Sequence, residues 1–245
     1  MAQFTRVCAY DRPGTFTVVG DHVEPTSSTP VSQPTTAAEG VADLHALLAA
    51  AKVPGPYLLV AHSYGGLIAR LYASGYPDDV SGLVLVDTLT ELMYPALGSI
   101  ANQLLWLRLN NNYSPELDRF HQERTDLLAS FNELESAPAV RPIPALVLSA
   151  DQPFDFKALV EQGVLPSGTP VEFGSTVWQA VEIGQQKLAA LLDAEQITDT
   201  ASGHYIHLTQ PQLVINSIRH VYDQVHHEPD PPGLTLTPVV SPNGA

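Results

Sequence analysis

The chain has a single cysteine, Cys8, so an intrachain disulfide framework is excluded. Cys8 stands in an apolar, strand-like run, where a buried and chemically inert thiol is the expectation. No run of about 18 apolar residues is present to form a membrane-spanning helix. Basic residues are scarce: Lys and Arg total 11 against 26 Asp and Glu, a formal net charge of −15. Such a field repels phosphate backbones and anionic lipid surfaces, so no nucleic-acid partner is expected. The metalloprotease pattern His-Glu-x-x-His does not occur and the lone cysteine has no second thiol beside it, so no metal site is expected. The first residues, Met1-Ala2-Gln3-Phe4-Thr5-Arg6, lack the charged-then-apolar layout of a secretory signal, and a cytoplasmic location is the expectation. Against these absences stand 245 residues, 44% of them hydrophobic, enough to bury a sizeable core.

Short apolar runs alternate with helical patterns, the signature of a parallel α/β sheet. Phe4 to Tyr10 reads as a first strand ending at the turn Asp11-Arg12-Pro13-Gly14, and the Pro-, Ser- and Thr-rich residues 21–36 read as a surface loop. Thr36-Ala37-Ala38-Glu39 fits a capping box, after which Val41, Leu44, Leu47, Leu48 and Ala51 share a helical face. Gly55 and Pro56 end that helix, and Tyr57-Leu58-Leu59-Val60 reads as a buried strand. A helix from about Gly65 carries Leu67, Ile68, Leu71 and Tyr72; a strand at Leu83–Val86 then ends on Asp87. Residues 88–140 contain helical patterns and no strand, so a helical insertion is expected there. Strand character returns at Ala145–Leu148, followed by a helix around Val177–Leu192 and a short strand near Gln196-Ile197-Thr198. The last helix starts at Pro211, a residue suited to a first helical turn. One domain over residues 1–227 and a disordered Pro-rich tail over 228–245 are the expected organisation.

The segment Tyr57–Gly66 reads YLLVAHSYGG: a buried strand, a sharp turn at Ser63, then a helix. That is the setting a nucleophilic serine requires, because a tight strand-to-helix turn exposes its hydroxyl. Small residues are needed two before and two after the serine, and Ala61, Gly65 and Gly66 supply them. The turn also aims the Tyr64 N–H and the helix N-terminus at the oxygen where negative charge would develop. Serine needs a base within hydrogen-bond reach. Among nine histidines His204 stands out, since Ala201-Ser202-Gly203-His204 follows the last strand and precedes the last helix. His207 is its rival; His62 lies beside the serine, where adjacent side chains on a sharp turn point apart. A carboxylate must then orient the base. Asp87 and Asp151 both follow strands at the correct sheet edge, while Asp155 and Glu172 lie further from one. The chain order serine, aspartate, histidine holds with either acid.

The segments RVCAYDRPGT, VADLHALL, PGPYLLVAHSYGG, YPDDVSGLVLVDT and SGHYIHLTQPQLVI together resemble bacterial α/β-hydrolase-fold serine esterases and lipases over most of the chain. The resemblance implies carboxylic-ester chemistry without a cofactor, a small-molecule ester substrate, and a helical cap at about 88–140. It supports Ser63 and His204, and favours Asp87 narrowly over Asp151 as the acid. One departure concerns the N-terminal side. Relatives carry further strands and a Gly-rich loop that supplies a second oxyanion N–H, whereas here Met1 falls just before the strand carrying Tyr10–Gly14, so an N-terminally truncated version of the fold is the expectation. A missing donor would cost roughly 3–4 kcal/mol of transition-state stabilisation. This motivates a second reading, a non-catalytic ligand- or partner-binding protein on the same fold. Met93, Leu104, Trp106 and Leu107 are candidates to line an apolar acyl pocket, although such residues more often form plain core. An aspartate-based nucleophile, as in epoxide hydrolases and dehalogenases, is disfavoured because the turn presents serine.

Overall fold

The computed structural model describes residues 1–19, 22–110, 122–227 and 230–239. Strands β3 (Tyr57–His62), β4 (Val80–Val86), β5 (Ala145–Leu148) and β6 (Glu195–Ile197) form a sheet in that order. Every pairing in it is parallel. The continuous apolar runs of β4 and β5 follow from burial on both faces. On β4, Leu83 and Leu85 face one apolar cluster while Val84 and Val86 face another; on β5, Val147 opposes Leu146 and Leu148 in the same way. The first cluster is completed by α1 (Ala37–Ala50), α2 (Gly65–Gly75) and α6 (Phe173–Leu192), the second by α7 (Ile206–Thr209) and α8 (Pro211–His226). Between β4 and β5 the described elements are a 3₁₀ segment (Glu91–Leu97), α3 (Ile100–Leu109) and α4 (Leu127–Ser136). A short helix, α5 (Phe156–Glu161), precedes α6.

Local sequence signals act where expected at the start of α1. Thr36 Oγ1 accepts from Glu39 N–H and Glu39 Oε2 accepts from Thr36 N–H at 2.8 Å, satisfying two helix-end donors. Beneath the sheet edge, Arg70 of α2 and Glu91 form a bidentate ion pair of 2.7 and 2.9 Å between side chains only 4% and 5% exposed. Burial alone would raise the Glu91 carboxyl pKa, but the Arg70 hydrogen bonds and charge outweigh it and hold the group below its ordinary value.

Three expectations are corrected. Phe4–Tyr10 is not a strand: Val7, Cys8 and Tyr10 are exposed, and Phe4 instead packs edge-on against Tyr222 with the Arg219 guanidinium over its ring. A parallel strand holds only where its faces are covered, and in this segment Phe4 reaches the core while Val7 and Cys8 stay exposed. Cys8 is accordingly an exposed thiol rather than a buried one. The expected loop at 21–36 contains β2 (His22–Pro25), which pairs antiparallel with β1 (Phe16–Val19). The two strands pair from Phe16 with Pro25 to Val19 with His22, and Thr26 N–H extends the ladder to Thr15 O at 3.1 Å.

Strand β3 is an edge strand among the described residues, and Val60 within it is 47% exposed. Of the Pro-rich tail, residues 230–239 lie along α8, where Asn216 donates to Thr235 O, Gln210 exchanges two bonds with Val239, and Asp230 meets His220. The rest of that tail lies outside the described residues, as does His121.

Candidate functional site

Because all four strands are parallel, the C-terminal ends of β3, β4, β5 and β6 lie at one edge of the sheet, the usual side for a ligand in an open α/β sheet. At the end of β3 the backbone reverses sharply. Ser63 adopts φ +52, a left-handed conformation that costs a non-glycine residue free energy, and α2 begins two residues later. The turn is pinned through the Ser63 carbonyl, which accepts from Gly66 N–H at 3.0 Å and from Leu89 N–H at 2.9 Å. Tyr64 N–H stands ahead of these bonded amides, at the positive end of α2.

The two glycines after the turn have unequal roles. A Cβ at Gly66 would lie 2.3 Å from Thr88 Cβ, closer than atoms can approach. At Gly65 it would meet Ala61 Cβ at 3.8 Å, an ordinary contact. The strict demand for a missing side chain thus falls on residue 66, where the turn crosses the segment after β4, and not on the pair 61 and 65.

That segment starts with Asp87, also at positive φ (+42) and 5% exposed. Its N–H continues the β4–β5 ladder to Leu148 O at 2.7 Å, and its Oδ1 accepts from Ala150 N–H at 3.0 Å. The other oxygen, Oδ2, lies 2.7 Å from His204 Nδ1. Because the ionised carboxylate can only accept, Nδ1 carries the proton, and Nε2 is left free to take one. Among the described residues no hydrogen bond joins Ser63 Oγ to His204; such contacts often tighten only when substrate is bound.

Asp151 does not meet His204. Its two oxygens accept from Ala201 N–H at 2.8 Å and Ser202 N–H at 2.7 Å, in the loop leading to the histidine. Asp155 caps α5 through Ala158 N–H, and Glu172 stands at the start of α6.

His62 has a part the sequence did not suggest. Its Nε2–H donates to the His204 carbonyl at 2.9 Å, and its ring lies 4.5 Å from the rings of both His204 and His207. Burial pushes the His62 pKa down to about 4; charges on His204 and His207 add to this, and the carbonyl bond opposes it. Burial also lowers His207, whose buried Nδ1 has no partner among the described residues. The alternation of apolar residues in β3 places His62 on the sheet face toward α7, a signal that was available but uninformative without the fold. The Tyr64 ring lies among Tyr10, Arg12 and Glu123. The Arg12 guanidinium sits 5.6 Å from that ring, and burial raises the phenol pKa to about 12.

The four apolar candidates from the helical insertion do not act together. Met93 and Trp106 are core: Met93 packs on Gly184 of α6, and Trp106 stacks on Phe131. Leu104 is 60% exposed and Leu107 is partly buried. Phe154 and Tyr205 place exposed rings 5.4 and 5.1 Å from the His204 ring.

A family model described as the alpha/beta hydrolase family matches residues 1–217. Among curated proteins, the probable transporter efuK of Hormonema carpetanum is 26% identical over 257 residues, covering 89% of this chain and 36% of that protein. The uncharacterized protein YqjL of Bacillus subtilis (strain 168) is 45% identical over 67 residues, 27% of this chain and 24% of that protein. The chain therefore spans about a third or less of the length of these curated relatives. Two solved structures are similar in fold. A monoacylglycerol lipase of Paleococcus ferrophilus shows 16% identity and a TM-score of 0.48, covering 90% of this chain and 83% of that one. A probable hydrolytic enzyme from Pseudomonas aeruginosa PAO1 shows 19% identity and a TM-score of 0.47, covering 78% of this chain and 71% of that one. With the family model matching most of its length, the chain belongs to the alpha/beta hydrolase family.

Proposed function

We propose that this protein is a serine hydrolase that cleaves small carboxylic esters through an acyl-enzyme at Ser63. The observation that carries the reading is the 2.7 Å bond from His204 Nδ1 to a buried Asp87, set at the sheet edge where Ser63 occupies a strained turn. Ser63 Oγ attacks the ester carbonyl while His204 Nε2 takes its proton. Asp87 holds the imidazole in the tautomer that leaves Nε2 free and stabilises the imidazolium. Tyr64 N–H, at the N-terminus of α2, faces the charge that develops on the carbonyl oxygen. The proton then passes to the leaving alcohol, and water, activated by the same base, releases the acid and restores Ser63. His204 is preferred to His207 as base because only His204 is bonded to a carboxylate. The exposed rings of Phe154 and Tyr205 beside His204 favour an apolar substituent on the substrate.

Purified protein should hydrolyse short p-nitrophenyl esters and be labelled at Ser63 by a fluorophosphonate, and Ser63→Ala should abolish both. Folded protein that turns over no ester and takes no label would overturn the proposal in favour of a non-catalytic ligand-binding role.

A further inference from the structure

The loop that carries His204 is unusual in how it is held. Ala201 adopts φ +47, a left-handed conformation that a residue with a Cβ disfavours, so the loop does not take this path by its own preference. The strain lies opposite Asp151, whose two carboxylate oxygens accept from the consecutive N–H groups of Ala201 and Ser202 at 2.8 and 2.7 Å. The grip is reciprocal: Asp151 N–H and Gln152 N–H both donate to Ser202 O, at 3.0 and 3.2 Å. Upstream, Ser149 N–H continues the β5–β6 ladder to Ile197 O, and Thr200 Oγ1 donates to Ser149 O at 3.0 Å. Downstream, Ser202 Oγ bonds Thr209 of α7. The loop is thus fastened to the segment after β5 from Ile197 to Ser202, and the carboxylate of Asp151 holds its last two amides before Gly203 and His204.

We infer that Asp151 is a positioning residue for the catalytic base: its carboxylate clamps residues 201–202 so that the His204 ring is delivered to Asp87. This inference rests on the proposed role of His204. A carboxylate is suited to the task because each of its oxygens can accept one of two adjacent amides, and charge-assisted bonds are about twice as strong as neutral ones. An amide side chain cannot do the same, since its NH₂ would face a second donor. Asp151 acts on backbone and not on the ring, so its removal should loosen the His204–Asp87 bond without touching bound substrate. The groups that face the His204 ring are Asp87, His62, Tyr205 and Phe154, and none of them is hydrogen-bonded to the Asp151 carboxylate.

The test compares Asp151→Asn and Asp151→Ala with Asp155→Ala, which removes the neighbouring α5 cap and serves as a purely structural control. With p-nitrophenyl esters, both Asp151 variants should lose tenfold or more in kcat with KM within twofold. Asp155→Ala should lose stability with kcat within twofold of wild type. In an Asp87→Asn background, where the bond that Asp151 protects is already lost, Asp151→Ala should cost less than twofold. Equal losses in the two backgrounds, or wild-type kinetics in both Asp151 variants, would overturn the inference. A readout independent of turnover separates this failure from that of the parent proposal. The downfield proton resonance of His204 Nδ1–H, absent in Asp87→Asn, should broaden or vanish in folded Asp151→Ala. Its persistence there would overturn the clamp even if the wild type proved inactive.

Discussion

Changing Gly66 and Gly65 to alanine, one at a time, puts two adjacent glycines to opposite use and tests the geometry around the serine. At residue 66 the new methyl would be 2.3 Å from Thr88 Cβ, 2.6 Å from its Cγ2 and 2.9 Å from its Oγ1. Thr88 cannot retreat easily. It is 2% exposed, its carbonyl accepts from Gln185 Nε2 at 2.5 Å, and it lies between Asp87 and Leu89, which are tied to β5 and to Ser63. Overpacking of this kind costs about 1–3 kcal/mol, sometimes more. For a chain of this size that is roughly 2–4 °C of melting temperature per kcal/mol. At residue 65 the methyl meets only Ala61 at an ordinary distance, and a first-turn alanine should be neutral or stabilise by up to about 1 kcal/mol. Urea denaturation should therefore lower the midpoint for Gly66→Ala and leave or raise it for Gly65→Ala. Because the clash pushes Asp87 and Leu89 away from Ser63, ester hydrolysis should fall with Gly66→Ala by more than its loss of folded protein explains. Adding Thr88→Gly to Gly66→Ala should be less destabilising than the sum of the two changes. A Gly66→Ala protein with the wild-type midpoint, beside a destabilised Gly65→Ala, would refute the assignment of the close approach.

Asp87→Asn should lower kcat/KM for esters about 10³–10⁴-fold, because an amide can hold His204 in the wrong tautomer; steady-state kinetics at neutral pH check it. Arg70→Met leaves Glu91 buried without its partner and should cost about 3–5 kcal/mol in urea, whereas Arg70→Met combined with Glu91→Leu should recover much of it. In the same pair, the lowered Glu91 pKa means its contribution is complete above the ordinary carboxylate range. It is lost as pH falls through the lowered value, so acid denaturation should begin earlier in Glu91→Gln. His62, held near 4 when folded and titrating near 6.5 when unfolded, binds its proton preferentially in the unfolded chain. Stability should rise with pH across that window, and His62→Gln should flatten the slope between pH 4 and 6.5 in urea denaturation.

How much of this was legible in the sequence depends on which interactions are local. The buried runs of β4 and β5 announce themselves because both faces are covered, and the Thr36–Glu39 capping box is a four-residue signal read directly. The turn at Ser63 is legible for the same reason, since a strand, a serine and two glycines are contiguous. Phe4–Tyr10 shows the opposite case. Its apolar composition favours a strand, but a strand exists only through its neighbours, and the segment is fastened by Phe4 to Tyr222, 218 positions along the chain.

The two acids show why spacing alone leaves their division of labour open. Asp87 and Asp151 each follow a parallel strand at the same sheet edge, and both precede His204 in the chain. What separates them is how far each lies past its strand. Asp87 is the first residue after β4, and its left-handed φ turns the chain at once, sending the side chain back into the crevice between β4 and β5. Asp151 comes three residues after β5, and by then the chain runs abreast of residues 201 and 202 instead of 204. The β5–β6 register, with Leu148 paired to Ile197, would by itself set Asp151 against Thr200; the loop gains two residues on its side, so Asp151 meets Ser202 instead. Moving the loop by two residues would exchange the partners. A two-residue insertion between Thr200 and Ala201 should therefore disrupt the His204–Asp87 bond far more than an equal insertion after Tyr205, and fluorophosphonate labelling of Ser63 in the two insertion variants would measure the difference.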